Sequence, residues 1–184
     1  MANIIFVSGP CGCGKTTFTN RYAKYLVECK HNPVYVIHGD DFHSGIIELK
    51  DTDCVYVDRE VCNVLHWEEI LQFNWDCIIA IAEKALKRDL DVIIDYIIEG
   101  ELPRVRELAD IYHAKLYYIV LTAESEEIEK RIRKRGDIDL IDRALFLKGK
   151  LDTMPENQGY LYDNTEKSPE DMIKEVVLEH YLVK

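Results

Sequence analysis

Short apolar runs alternate with segments of helical periodicity along the whole chain. Continuous apolar runs without a polar face are typical of strands that are buried on both sides. The predicted strands cover residues 4–8, 34–38, 90–95, 115–121 and 160–163. Because strands and helices alternate and such connections are right-handed, the pattern predicts an α/β fold with a parallel sheet between two helical layers.

The helix predicted at 75–88 has the clearest apolar stripe, which we expect to face the core. The stripe consists of Ile78, Ile79, Ala82, Ala85 and Leu86. A last helix, running to about residue 181, is predicted to be capped at Ser168, with Pro169 at its first position. The other predicted helices are 16–29, 59–73, 102–113, 122–136 and 138–151.

The stretch between the second strand and the helix at 75–88 is longer than an ordinary connection. Connections of that length inside a compact domain are usually functional. We therefore expect a substrate-binding insert at about 42–73 within a single domain that spans residues 1–184. Four of its side chains are candidates for an acceptor pocket: His43, Arg59, His66 and Trp67. Trp67 is equally compatible with a place in the core.

The first strand leads into Gly9-Pro10-Cys11-Gly12-Cys13-Gly14-Lys15-Thr16, which matches the pattern G-x-x-x-x-G-K-[ST] without a gap. The glycines allow successive backbone N–H groups to surround an anion, and the following helix adds its positive end. Lys15 would reach the β- and γ-phosphates, and the Thr16 hydroxyl would bind Mg²⁺. The nucleotide site is thus predicted to contain Gly9, Pro10, Cys11, Gly12, Cys13, Gly14, Lys15, Thr16 and Thr17.

The alternative for this segment is a glycine-rich turn that binds nothing, but strand, loop, Lys-Thr pair and helix all favour a phosphate site. Cys11 and Cys13 also invite interpretation as a metal or redox pair. A single C-x-C without a second ligand pair favours small residues that fill the loop.

Carboxylates follow the ends of the second and third predicted strands. In sheets of this kind ligands bind beyond the carboxyl ends of the strands. Asp40 or Asp41 can therefore accept a proton from an acceptor hydroxyl, and we favour Asp40 as the base. Asp95 ends an apolar strand, as does the carboxylate that partners a phosphate loop around Mg²⁺. The alternatives are a helix cap for the first pair and a turn for Asp95.

The helix predicted at 122–136 starts with glutamates and ends with five basic residues. This distribution suits the helix dipole and gives pairs such as Glu127 with Arg131, so a purely structural role explains it well. The same bases can also close over a triphosphate, and Arg131 and Arg135 are the best candidates for that role.

Composition limits the possible partners. The formal net charge of −11 disfavours a general nucleic-acid binder, although a local basic site remains compatible with it. Six cysteines show no disulfide-framework spacing, and the chain starts without a signal peptide or a membrane span, so we expect a cytoplasmic protein. A monomer and a homodimer are both compatible with the sequence.

Taken together, the phosphate loop, Asp40-Asp41, Asp95, the arginines at 131–135 and Asp163-Asn164-Thr165 resemble the small-molecule and nucleotide group of P-loop kinases, in that group's order. The Asp40-Asp41-Phe42 stretch is similar to that of gluconate kinase, chloramphenicol phosphotransferase and the kinase domain of polynucleotide kinase, and shikimate kinase belongs to the same group. The resemblance implies a five-stranded sheet of order 2-3-1-4-5, a lid at about 131–150, and Asp40 as the base. It also implies an adenine site between the lid arginines and Asn164-Thr165.

Two departures concern the acceptor. Polynucleotide kinases have an arginine where this chain has His43, and gluconate kinases would show a His-Pro pair where it has His43-Ser44. We therefore predict an ATP- and Mg²⁺-dependent kinase that acts on a hydroxyl of a small molecule. The alternatives are a 5′-hydroxyl polynucleotide or nucleoside monophosphate kinase, and a regulatory ATPase without an acceptor.

Overall fold

The central sheet is built on β1 (Asn3–Ser8), which carries the phosphate loop at its carboxyl end. A computed structural model describes residues 2–47 and 65–183 of the chain. The other strands are β2 (Val34–His38), β3 (Asp91–Asp95), β4 (Lys115–Thr122) and β5 (Leu161–Asp163). All pairs are parallel and the order is β2-β3-β1-β4-β5, which confirms the predicted order.

Seven α-helices lie in the described part of the chain: α1 (Lys15–Lys30), α2 (Asp40–Ser44), α3 (Trp67–Leu86), α4 (Leu102–Ile111), α5 (Ser125–Arg135), α6 (Ile141–Thr153) and α7 (Pro169–Glu175). Short 3-10 turns occupy Ile138–Leu140, Pro155–Asn157 and Leu178–Tyr181. None of the described helices is long and apolar enough to cross a membrane.

Alternate residues of β1 contribute to two different cores, because side chains of a strand point to opposite faces. Ile4 and Phe6 pack with residues of α3 and α4, whereas Ile5 and Val7 pack with residues of α1 and α7. Phe6 stacks on Trp75 of α3, with ring centroids 5.6 Å apart. Burial of side chains this large contributes about 1.5–3 kcal/mol each, so these two faces hold the three layers together.

Two predicted helices differ from the structure. Residues 59–64 of the helix expected at 59–73 lie outside the described residues. The rest of it joins the helix expected at 75–88 in a single helix, which begins at Trp67 and continues through Asn74. Asn74 is fully buried, and its amide bonds to side chains outside the helix, so the backbone helix is not interrupted. The apolar stripe at 78–86 does face the core, as predicted.

The last helix was expected to run to residue 181, but it ends at Glu175. Val176 and Val177 adopt extended backbone angles, with ψ of 106° and 105°. Val176 and Leu178 are buried against the α1 side of the sheet, so packing of these apolar residues overrides the helical pattern. The predicted cap is correct: Ser168 and Asp171 form a capping box.

Candidate nucleotide and acceptor site

The phosphate loop leaves β1 and enters α1 with three glycines in the left-handed region. The φ angles of Gly9, Gly12 and Gly14 are 141°, 82° and 88°. A Cβ on Gly9 would lie 2.4 Å from the Leu121 carbonyl oxygen of β4, and one on Gly12 would lie 2.8 Å from Ile132 of α5. Glycine is therefore required at both positions, because the loop packs directly on neighbouring backbone and side chains.

Lys15 and Cys13 stabilise the loop from within. The Lys15 ammonium donates hydrogen bonds to the carbonyl oxygens of Gly9 and Pro10, at 2.8 and 3.2 Å. The Cys13 thiol is fully buried and donates to the Pro10 carbonyl at 2.9 Å. Burial raises the pKa of the Cys13 thiol, so it stays protonated at neutral pH. This supports loop filling, and within the described residues no group of metal-ligating side chains includes either cysteine.

A first cavity of about 310 Å³ lies between the start of α1, α5 and the segment after β5. It is lined by Cys13, Gly14, Thr17, Phe18, Glu127, Arg131, Asn164, Lys167, Pro169 and Met172. Asn164 donates to the Cys13 carbonyl at 2.7 Å, which joins this segment to the phosphate loop. The structure thus brings together the predicted residues Arg131 and Asn164 beside Gly14 and Thr17.

The Arg131 guanidinium is held on several sides. Its Nε donates to Glu127 at 3.0 Å, and its terminal nitrogens donate to the Asn164 side chain and to the carbonyls of Asn164 and Thr165. The predicted Glu127–Arg131 pair is confirmed, and these bonds with Lys130 and Arg131 lower the pKa of Glu127. Arg131 is therefore fixed as one wall of the first cavity.

Thr165 does not line this cavity through its side chain. Its hydroxyl donates to Asp163 at 2.6 Å and accepts from the backbone N–H of Glu124 at 2.8 Å. The hydrogen bond from Thr165 lowers the pKa of Asp163. Thr165 thus shapes the loop, while Asn164 is the residue of this pair that faces the cavity.

A second cavity of about 460 Å³ lies between the phosphate loop, α2 and α6. Its lining includes the predicted residues Cys11, Gly12, Gly14, Lys15, Thr16, Thr17, Asp40, His43, Trp67 and Arg135. Both aspartates are exposed, but Asp41 is not among the lining residues, nor is His66, and Arg59 lies outside the described residues. Gly39 is the N-cap of α2, and neither aspartate caps that helix through its side chain. Asp40 is thus the aspartate of the pair that reaches the cavity beside Lys15.

Arg135 lies on the same helix as Arg131 but faces the second cavity. Its guanidinium donates to the Cys11 sulfur at 2.9 Å and pairs with Asp137. More than half of its side chain is exposed. One face of α5 therefore carries an arginine to each cavity, four residues apart.

Asp95 is buried at the end of β3, opposite Val7 of β1. Its Oδ2 accepts hydrogen bonds from the Thr19 hydroxyl at 2.9 Å and from His38 Nδ1 at 2.8 Å. His38 ends β2 and is the register partner of Asp95. The strand-ending position predicted for Asp95 is confirmed, and its partners in the described structure are α1 and β2 side chains.

Sequence reasoning missed His38, Asn74, Tyr96 and Arg143. The implied strand order places the ends of β2 and β3 side by side, so the contact between His38 and Asp95 was predictable from it. Arg143 was assigned to a helix and to the predicted lid but was not named as a site residue, and its guanidinium lies 5.9 Å from the Trp67 ring centroid. Asn74 and Tyr96 gave no local signal, because their role depends on contacts between distant elements.

The two cavities meet at the phosphate loop, since Gly14 and Thr17 line both. The first combines apolar side chains with a fixed guanidinium, which suits a planar polar ring. The second places a carboxylate, an ammonium and arginines around one space, which suits transfer of an anionic group to a hydroxyl. The phosphate loop thus lies between two cavities of different chemical character.

The sequence is similar to a known domain family and to a known protein. The sequence profile of the AAA domain family matches residues 4–154. A guanylate kinase of Geobacter metallireducens is 23% identical over 152 residues, which cover 77% of this chain and 70% of that protein.

Solved structures show the same fold. The Mycobacterium tuberculosis APS kinase in complex with AMPPNP and APS has a TM-score of 0.65 at 14% identity, over 95% of this chain and 94% of its own. A gluconokinase from Sinorhizobium meliloti 1021 has a TM-score of 0.59 at 17% identity, over 97% and 91%. Because the family profile covers most of the sequence, the chain belongs to the AAA domain family, and it shares its fold with these kinases.

Proposed function

We propose that the chain is an ATP-dependent kinase that transfers the γ-phosphoryl group to a hydroxyl of a small molecule. The observation that carries this proposal is the second cavity, in which Asp40 lies with Lys15 and Thr16 of the phosphate loop. A loop that only bound a nucleotide would not need a carboxylate facing the side where the γ-phosphate is expected. The kinases among the similar structures support the same reaction class.

In this proposal the first cavity binds the base of the nucleotide. Arg131 would lie against the ring, since its guanidinium is held in place by Glu127 and the 164–165 carbonyls. The backbone N–H groups from Gly9 to Thr16 would bind the phosphates, and Lys15 would exchange its contacts with Gly9 and Pro10 for phosphate oxygens.

In the second cavity Asp40 would accept the proton of the acceptor hydroxyl. The acceptor oxygen then forms a bond to the γ-phosphorus as the bond to the β-phosphate oxygen breaks, and the nucleoside diphosphate leaves. Arg135 would neutralise charge on the transferred group. The contact from Arg135 to Cys11 already holds its guanidinium beside the loop.

The residues present fit a magnesium ion. The Thr16 hydroxyl and the Asp95 carboxylate are hard oxygen ligands, and a buried carboxylate that accepts two hydrogen bonds is held in a fixed orientation. Mg²⁺, when bound, would neutralise the phosphate charge. Thr16 would bind it directly, Asp95 would act through water, and Thr19 and His38 would orient Asp95.

The boundaries of the acceptor insert, at about 42–73, and of the lid, at about 131–150, are part of this proposal. We also propose a cytoplasmic location. In the described part of these segments, Trp67 of α3 and Arg143 of α6 are in contact, so the insert and the lid would close on the same space.

The test is transfer of labelled γ-phosphate from ATP, and from GTP in parallel, to sugars, sugar acids, shikimate, nucleosides, nucleotides, antibiotics and a 5′-hydroxyl oligonucleotide. We expect a labelled small-molecule product that Lys15→Ala abolishes. Asp40→Asn should lower kcat by about 10²-fold or more while sparing nucleotide binding. Asp41→Asn is the matched control and should keep most of the activity.

A nucleoside monophosphate kinase is the second candidate, and the guanylate kinase relative favours it. Labelled nucleoside diphosphate as the product would establish it. Tight nucleotide binding without a product from any acceptor would instead support a regulatory ATPase and contradict the kinase proposal. Loss of nucleotide binding in Asp40→Asn would move Asp40 from the acceptor to the metal site.

A further inference from the structure

Asn74 fixes the tautomer of the His43 imidazole at the edge of the second cavity. Asn74 is fully buried in α3, and its amide nitrogen lies 3.0 Å from His43 Nδ1 and 2.8 Å from the Tyr96 hydroxyl. The amide oxygen is buried and has no partner among the described residues. The opposite amide orientation would leave two buried N–H groups unpartnered in place of one carbonyl, which costs more.

This orientation has a consequence for the imidazole. Both amide N–H groups of Asn74 are used as donors, so His43 Nδ1 must accept one of them. A neutral imidazole then carries its proton on Nε2, on the side of the ring away from Asn74. Because His43 lines the second cavity, it offers a hydrogen-bond donor to whatever binds there.

Arg143 adds a second donor beside it. Its guanidinium lies over the Trp67 ring, and the His43 ring packs edge-on against the same indole, with centroids 6.1 Å apart. Among the described residues the acidic partner of Arg143 is Glu99, at 3.9 Å. Glu99 is already bound by Lys150 at 2.6 Å, so the charge of Arg143 is only weakly neutralised.

We propose that His43, Trp67 and Arg143 form an oxyanion subsite of the acceptor cavity, so that the acceptor carries a carboxylate or a phosphate in addition to its hydroxyl. The inference rests on the proposed kinase function. The subsite contains two hydrogen-bond donors and an indole face, its ring acceptor His43 Nδ1 is occupied by Asn74, and it lies in the same cavity as Asp40. An anion at this position would be bound by Arg143 and His43 while its hydroxyl faces Asp40.

The first experiment compares matched acceptors: gluconate with glucose, shikimate with its methyl ester, and nucleoside monophosphates with nucleosides. We expect kcat/KM to be at least about tenfold higher for the anionic member of the preferred pair. Carboxylate and phosphate pairs distinguish the two sources of negative charge. Arg143→Gln should raise KM for the anion about tenfold and remove the preference.

Arg133→Gln is the matched control. Arg133 lies on the exposed face of α5 and pairs with Glu129, so this variant should behave as the unmodified protein. Equal use of charged and neutral acceptors, or a preference that persists in Arg143→Gln, would overturn the subsite and leave the kinase intact.

Two measurements decide the subsite without any turnover. In nitrogen-15 spectra of the histidine side chains, assigned with His43→Gln, we expect His43 to carry its proton on Nε2, and a proton on Nδ1 would contradict the proposal. Tryptophan fluorescence should change on addition of gluconate or inorganic phosphate but not of glucose. The change is assigned to Trp67, because the other tryptophan, Trp75, is buried. A fluorescence signal that does not respond to either anion would overturn the subsite. A normal anion response without any phosphoryl transfer would overturn the proposed kinase activity but not the subsite.

Discussion

At the scale of single residues, the site depends on side chains that are held by buried partners. Asp95 is the clearest case, because its carboxylate is almost completely buried and its partners come from two other elements. A buried charge is tolerated only when hydrogen bonds replace its lost hydration. The contacts of Asp95 with Thr19 and His38 are thus a requirement for folding as well as for any role of Asp95 at the loop.

Thr19→Val tests this requirement. Valine keeps the shape of the side chain but removes the hydroxyl that donates to Asp95, so we expect the free energy of unfolding to fall by about 1–3 kcal/mol. Urea unfolding measures the change. Thr17→Val is the matched control on the same helix, since Thr17 is exposed, and its effect should stay within about 0.5 kcal/mol. Equal effects of the two variants would contradict this explanation.

Gly39→Ala is a second test at this scale. A Cβ at this buried glycine would lie 2.4 Å from the Tyr96 ring, which in turn bonds to Asn74. The ring must move, so we expect a loss of about 1–3 kcal/mol in unfolding free energy and a disturbed His43 environment. Calorimetry and histidine spectra check the two effects, and a variant unchanged in both would show that Tyr96 is free to shift.

At the scale of elements, replacing a glycine of α6 and the glycine that ends α5 by alanine should change stability in opposite directions. Gly149 lies in α6, is exposed, and would place a Cβ in open space. Gly136 also faces open space, but it ends α5 with a φ of 92°. Local backbone conformation, and not packing, therefore decides the result of substitution at each.

We expect Gly149→Ala to stabilise the protein by about 0.5–1 kcal/mol, because alanine loses less backbone entropy in a helix. Gly136→Ala should destabilise it by about 1–2 kcal/mol, because alanine is strained in the left-handed region. Thermal unfolding of both variants measures the pair, and changes of equal sign would contradict the assigned conformations.

The elements also show what the sequence could predict. Strands β1 to β5 and the phosphate loop were predictable because apolar runs and the glycine motif are local features of the sequence, and the fold retains them. The order of the strands came from the family resemblance. The continuous α3 and the early end of α7 were missed because contacts with other elements decide them: Asn74 bonds across to Tyr96, and Val176 packs on the sheet. The roles of Asn74 and Arg143 at the site were not predicted for the same reason.

At the scale of the whole molecule, paired carboxylates link stability to pH. Hydrogen bonds and ion pairs lower the pKa of several acidic side chains, and none of these groups is deeply buried. They are Glu83, Glu127, Asp163, Asp171 and Glu175. Since their folded-state pKa values lie below the unfolded ones, the stability they contribute is present above the unfolded values and is lost as the pH falls.

We therefore expect the urea midpoint of the protein to decrease steadily as the pH is lowered from about 5 to about 3. Asp163→Asn removes one of these groups and should make the decrease shallower. A midpoint that is independent of pH over this interval would show that the pairs do not persist in solution.

The anchoring of Arg131 also limits how α5 can move. Arg131 ties the middle of α5 to the 164–165 segment, and Ile132 packs against Gly12 of the phosphate loop. A movement that keeps these contacts leaves α5 in place beside the phosphate loop. We expect such a movement to turn about the left-handed Gly136 and to shift α6, with Arg143, relative to α5.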